Sequence, residues 1–342
     1  MTSSNLTPVN VLTGFLGSGK TTLLQRLLHS PRMARTAVLI NEFGDIGLDH
    51  LLVQQVDESV VLLQSGCICC SIRDDLASAL RGLLGRRERG EIPAFDRIVI
   101  ETTGLADPGP ILYTLLSEPV IRHHFRLGNV ITTVDVMNAA LHLSRNPEGI
   151  KQVAAADVLV LTKSDLAGTA QVTAVSEELA RLNPSATVWD SAQASLEVDF
   201  LLDAMSSAAP ARYRPVNRGD NATAADATTG LRAHTESVSS MSLIVDRPMD
   251  WTAFGIWLSL LLNRHGDDVL RVKGILCVAG SDTPVFINGV QHIVHPPQHL
   301  ERWPTPDHRS RIVFITRDIE QGKLRRSLEA FCKLRVAEQA MA

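Results

Sequence analysis

The chain has 342 residues, 45% of them hydrophobic and 20% charged, with 33 basic against 37 acidic side chains and a formal charge of −4. That length predicts two domains with real cores, and the composition excludes a disulfide-stapled miniature or an obligatorily disordered chain. The mild acidity provides no electrostatic footprint for nucleic acid or an anionic membrane, which leaves small molecules and proteins as expected partners. The longest apolar stretch, Trp251 to Leu262, falls short of the roughly twenty residues of a spanning helix. The start, MTSSNLTPVNVL, lacks the basic segment and cleavage site of a secretory leader, so the expected location is cytoplasmic.

From Val9 onward, short β-branched runs (VNVLT, TAVLIN, SVVLLQ, RIVIE, NVITTV, VLVLT) alternate with segments carrying Leu or Ala at helical spacing. This alternation predicts an α/β fold: a parallel sheet with flanking helices over residues 1–206. Several runs are apolar throughout instead of alternating, as expected where helices cover both faces. The first run leads into Gly14-Phe-Leu-Gly-Ser-Gly19-Lys20-Thr21, which fits G-x-x-x-x-G-K-[ST] between a strand and an amphipathic helix. Glycines let successive backbone N–H groups turn toward phosphates, Lys20 reaches the β and γ phosphates, and Thr21 ligates Mg²⁺.

After TAVLI come Asn41-Glu42-Phe43-Gly44-Asp45-Ile46-Gly47, a bendable segment with hard oxygen ligands that suits a switch near Mg²⁺ or a second metal. Next, three of the five cysteines crowd into Cys67, Cys69 and Cys70, ahead of a helix expected from about Ile72. Thiolates this close favour zinc, cobalt, copper or iron–sulfur chemistry. With no second C-x-x-C, a closed four-cysteine site within one chain is excluded, leaving two or three thiolates plus Glu42, a histidine or water. Inert cysteines and a redox dithiol are the alternatives.

RIVI ends in Glu101-Thr-Thr-Gly104, where phosphate-loop proteins place an acid toward Mg²⁺ and a glycine N–H toward the γ-phosphate. VLVL ends in Thr162-Lys163-Ser164-Asp165, similar to the N-K-x-D signature of GTPases. Asp165 can accept both donors of a guanine edge while the Lys163 stem covers the ring. Thr162 stands where Asn is usual.

Residues 207–237, rich in Ala, Pro, Thr, Asp and Asn, read as a flexible linker. Beyond it, SLIV, an apolar helix around Trp251 to Asn263, LRVKGILCV, PVFING, QHIVH, RIVFIT and a helix near Ile319 to Arg335 predict a smaller α+β domain over 238–342. His292, His295, His299 and His308 read as sheet and loop histidines, with an auxiliary metal or client surface as the alternative. His123-His124 is expected to end a helix, where a cation meets the dipole.

Taken in order, GFLGSGKTT, NEFGDIG, SGCICCSIRDDL and ETTGLADPGPI resemble the CobW-like P-loop GTPases of the CobW/HypB/UreG class, metallochaperones related to those of urease and hydrogenase maturation. The C-terminal runs resemble that family's second domain. The resemblance implies a slow GTPase that cycles between GTP and GDP and carries a transition metal, usually zinc or cobalt, to a client metalloprotein. Carried over, Gly14, Gly17, Ser18, Gly19, Lys20, Thr21 and Thr22 hold the phosphates, Lys163 and Asp165 the base, and Cys67, Cys69 and Cys70 with Glu42 the metal. Lys20, Thr21, Glu101 and Gly104 form the hydrolytic group. No residue stands out as a glutamine or arginine finger, which predicts slow turnover. Oligomeric state is left open, a homodimer included. The rival readings are a metal sensor or store without catalysis, and a P-loop kinase or ligase with a structural zinc.

Overall fold

The computed structural model describes residues 6–40, 61–64, 72–192, 201–202, 237–333 and 336–338. Seven strands of the N-terminal half pair in parallel: β1 (Thr7–Gly14), β2 (Thr36–Ile40), β3 (Val61–Gln64), β4 (Arg97–Glu101), β5 (Phe125–Asp135), β6 (Val158–Thr162) and β7 (Thr187–Asp190). Their order is β3-β2-β4-β1-β5-β6-β7. Each of the six apolar runs expected as strands in this half contributes its described residues to this sheet. β7, from the unremarkable TVWD, is an addition that the sequence patterning passed over. β6 is buried at every residue, as expected of a strand with both faces covered.

Helix α1 (Lys20–Leu28) buries Leu23, Leu24, Leu27 and Leu28 against one face of this sheet. The other face is covered in part by α2 (Ile72–Glu88) and α3 (Pro108–Ser117), with Leu80, Leu83, Ile111 and Leu112 in one cluster with Val9 and Ile98. After α4 (Pro119–His124), which ends on the expected His123-His124 pair, come α5 (Ala139–Arg145), α6 (Pro147–Ala155) and α7 (Thr169–Leu182). Asp107 caps α3 by accepting from Gly109 N at 2.9 Å, with Pro108 in the first turn, where its missing N–H costs nothing.

The second sheet is antiparallel. It comprises β8 (Val238–Val245), β9 (Val269–Leu276), β10 (Val285–Val290), β11 (Ile293–Val294), β12 (Gln298–His299), β13 (Ser310–Arg317) and β14 (Val336–Glu338). The order is β11-β10-β9-β13-β8-β14, with β12 also on β10. α8 (Trp251–His265) and α9 (Gln321–Cys332) cover one face, with Phe254, Trp257, Leu324 and Leu328 packed on Leu243, Val272 and Phe314. The opposite face lies on the first domain, where Leu270 and Ile315 join the cluster of Leu159, Val175 and Leu179.

Charges are buried at this boundary. Asp157 Oδ1 accepts from the Arg271 guanidinium and, at 3.1 Å, from Lys273 Nζ, and all three side chains are buried. Burial pushes the Asp157 carboxyl up, but the Arg271 and Lys273 charges outweigh it and hold the group well below the usual carboxylate range. Arg271 and Lys273 alternate with apolar residues along β9, and the first domain covers the face they occupy. Residues 207–236 of the expected linker lie outside the described residues. Among the described residues, no helix is long and apolar enough to cross a membrane.

Candidate functional site

Parallel strands deliver their C-terminal ends to one edge, and the loops there form the ligand crevice of open α/β sheets. β1 ends at Gly14, where a Cβ would stand 2.3 Å from Thr133 Oγ1, so only glycine lets the phosphate loop pass β5 this closely. The loop re-enters helix α1 at Gly19, whose φ of 86° lies in the left-handed region that favours glycine. Ser18 faces inward and shares a hydrogen bond with Thr133 at 2.6 Å. The outer residues of the loop border a cavity of about 330 Å³, which Gly17, Thr22, Ile40 and Lys163 help to line.

Lys20 folds back over the loop and donates to Gly14 O at 3.0 Å and Phe15 O at 3.2 Å. Its ammonium thus stands over the concave side of the loop, in reach of a polyphosphate. The Thr21 hydroxyl donates to Glu101 Oε1 at 2.7 Å. Residues 80 apart are joined here because β4 lies beside β1 and both strands end at the same level, with Leu12 opposite Glu101. A hydroxyl and a buried carboxylate are hard oxygen donors, the chemistry that Mg²⁺ selects, so the pair fits that ion.

Beyond Glu101 the chain is held tightly. Thr102 N donates to Leu12 O at 2.9 Å and its hydroxyl to Thr13 Oγ1 at 2.8 Å. A Cβ on Gly104 would lie 2.5 Å from Leu16 N, so the turn rests directly on the phosphate-loop backbone. Gln152, buried on α6, clamps the turn by donating to Gly104 O at 3.1 Å and Ala106 O at 3.0 Å.

On the other flank, Lys163 sits in the left-handed region at φ 57°, and its ammonium donates to Asp135 Oδ2 at 2.8 Å. Burial raises the Asp135 carboxyl, yet hydrogen bonds from Lys163 and Asn138 hold it below its ordinary range, so the pair stays ionic. The Thr162 hydroxyl donates to Ser18 O at 2.8 Å, so that the residue standing where Asn is usual ties the strand end to the phosphate loop. Asp165 is exposed and does not line the cavity.

Gly14, Gly17, Ser18, Gly19, Lys20, Thr21, Thr22, Glu101, Gly104 and Lys163 therefore gather at one edge. Glu42, Cys67, Cys69 and Cys70 lie outside the described residues; Ile40 and Gln64, which precede them, end β2 and β3 at the same edge. Among the described residues no three His, Cys, Asp or Glu side chains are placed to hold a metal. The four C-terminal histidines have separate partners. His292 pairs with Asp267 at 3.0 Å, His295 lies 3.3 Å from Asn288, His299 is beside Thr283 and His308 stacks on Trp303. Sequence reasoning missed Thr133, Asp135 and Gln152; the first two at least end an apolar strand at the ligand edge, whereas Gln152 carries no local signal.

The model of the CobW/HypB/UreG nucleotide-binding domain matches residues 8–190, and that of the cobalamin synthesis protein cobW C-terminal domain matches 238–332. The zinc chaperone YjiA of Escherichia coli (strain K12) is 32% identical over 334 residues, covering 96% of this chain and 98% of that protein. The zinc chaperone CobW of Pseudomonas aeruginosa is 29% identical over 364 residues, covering 94% and 90% respectively. The crystal structure of Zn(II)-bound YjiA GTPase from E. coli superposes with a TM-score of 0.71 at 29% identity, covering 96% of this chain and 99% of that one.

Proposed function

The chain belongs to the CobW/HypB/UreG family and is a GTPase; we propose that it uses the nucleotide to gate a transition metal, zinc or cobalt, and hands that metal to a client metalloprotein. The observation that carries this reading is the meeting of Lys20, Thr21, Glu101 and Gly104 on one cavity, which suits a γ-phosphate and its Mg²⁺. Thr21, with Glu101 beside it, would hold the Mg²⁺, which neutralises charge on the phosphates. Lys20 and the loop N–H groups bind the β and γ phosphates, and the Gly104 turn registers whether the γ-phosphate is present. Lys163, pinned by Asp135, covers the base, and Asp165 selects guanine.

Cys67, Cys69 and Cys70, with Glu42, are the proposed metal ligands. GTP orders their segments into a tight site, and hydrolysis to GDP and phosphate relaxes it beside the client. Residues 1–206 serve as the GTPase domain, 207–237 as linker and 238–342 as the second domain. The relatives named as zinc chaperones support the cargo, and zinc is favoured over cobalt on that ground.

The test is a competitive titration of the reduced protein with Zn²⁺ and Co²⁺ in GDP-Mg²⁺ and in a non-hydrolysable GTP analogue. A Cys67/Cys69/Cys70→Ser variant runs in parallel. Thiol-dependent binding that is much tighter in the GTP state is expected. Equal affinity in the two nucleotide states sinks the gating.

A further inference from the structure

We propose that the β10–β11 hairpin of the C-terminal domain sets the posture of the γ-phosphate-sensing turn, with Gln291 as the positioning residue that holds its far end. The inference rests on the GTPase reading above. The turn is fixed at one end by Glu101, the last residue of β4, and at the other by Asp107, which caps α3. Between them Gly104 lies on the phosphate loop. Whatever holds Asp107 therefore limits where Gly104 can go.

Asp107 is a junction of three elements. Its Oδ1 accepts from Gly109 N at 2.9 Å, and its Oδ2 accepts from Lys151 Nζ on α6 at 2.7 Å and from Gln291 Nε2 at 3.2 Å. The next residue of α6, Gln152, clamps Gly104 and Ala106. One helix turn and one hairpin residue thus hold the whole segment. Gln291 sits at φ 52°, a left-handed conformation that a non-glycine residue keeps only where its surroundings over-determine it. Its N–H donates to Leu270 O on β9 at 3.3 Å, and the flanking Val290 and Ile293 are buried in one cluster with Ile111, Leu112 and Leu115 of α3. The hairpin tip is a firm stop. Gly109 allows the contact, since a Cβ there would stand 2.4 Å from Gln291 Oε1.

A nucleotide with a γ-phosphate touches the turn and one without it does not, so the restraint acts on GTP alone. Releasing Asp107 leaves the turn to be ordered at the cost of GTP binding. By reciprocity, GTP must steady the hairpin more than GDP does.

Two variants break the contact from opposite sides. Gln291→Asn tolerates the left-handed backbone but is one methylene too short to reach Asp107. Gly109→Ala is compatible with the helix and displaces the Gln291 amide. Each is expected to weaken a non-hydrolysable GTP analogue about three- to tenfold while GDP affinity stays within about twofold. A general loss of folding would move both nucleotides together. Equal changes for the two nucleotides, or none, overturn the proposal. Hydrogen exchange on the unsubstituted full chain needs no variant: amides 289–293 should exchange more slowly with the GTP analogue than with GDP. Equal exchange overturns the coupling alone, whereas failure of the unsubstituted chain to bind a guanine nucleotide overturns the GTPase reading with it.

Discussion

The hydroxyl of Thr162 donates to the carbonyl of Ser18 at 2.8 Å, joining the end of β6 to the phosphate loop across 144 residues of sequence. The same hydroxyl lies 3.3 Å from Val134 O, so it holds three elements at the nucleotide edge together.

Replacing Thr162 by Val keeps the shape and leaves the buried Ser18 carbonyl unsatisfied, at a cost of about 1–2 kcal/mol. Thermal unfolding should fall by a few degrees, and GTP should bind several-fold more weakly. A Thr162→Val protein that melts and binds like the parent would show that the tie carries no energy.

Lys20→Ala removes the cation over the loop and should slow GTP hydrolysis on the order of 100-fold or more, with little change in melting temperature. Steady-state phosphate release measures it. Glu101→Gln should raise the Mg²⁺ concentration needed for half-maximal turnover, because the carboxylate beside the Thr21 hydroxyl then loses its charge.

The buried Asp157 cluster provides a stability test of the domain boundary. Asp157→Ala strands Arg271 and Lys273 without a counter-charge, which should cost about 3–5 kcal/mol. Replacing all three by apolar residues of similar size should recover much of that loss, since no buried charge then lacks a partner. Denaturant unfolding of the single and triple variants decides it.

His295 predicts a pH dependence. Burial, with the neighbouring Arg271 guanidinium, pushes its imidazole down to about 4, against an ordinary value of 6.5. As pH falls below 6.5 the unfolded chain takes up a proton that the folded chain refuses. Stability should therefore drop between pH 6.5 and 4, by about 1.4 kcal/mol per pH unit. His295→Gln should flatten the stability curve in that window relative to the parent. The carboxylates whose folded values are depressed, Asp157 and Asp135 among them, lose their contribution only at lower pH.

The parts of this protein legible in its sequence are those whose chemistry is local. A phosphate loop needs its glycines, lysine and threonine at fixed spacing because consecutive backbone N–H groups do the binding, and Gly14 to Thr22 reveal it without reference to any other segment. Glu101 and Gly104 are legible for a similar reason, as the end of an apolar strand at the ligand edge. The parallel sheet follows from unbroken apolar runs such as VLVLT, which only a strand covered on both faces can use.

What the sequence does not disclose is partnership at a distance. Thr133 against Ser18, Gln152 under Gly104, and Gln291 on Asp107 depend on which strands lie side by side and on how one domain seats on the other. In LRVKGILCV, Arg271 and Lys273 stand on a face that tertiary structure makes an interior one, where Asp157 pairs with both. Periodicity reports which side of a strand is apolar, but not what covers the other side. Only the packing of the two sheets decides whether a charge meets water or a counter-charge.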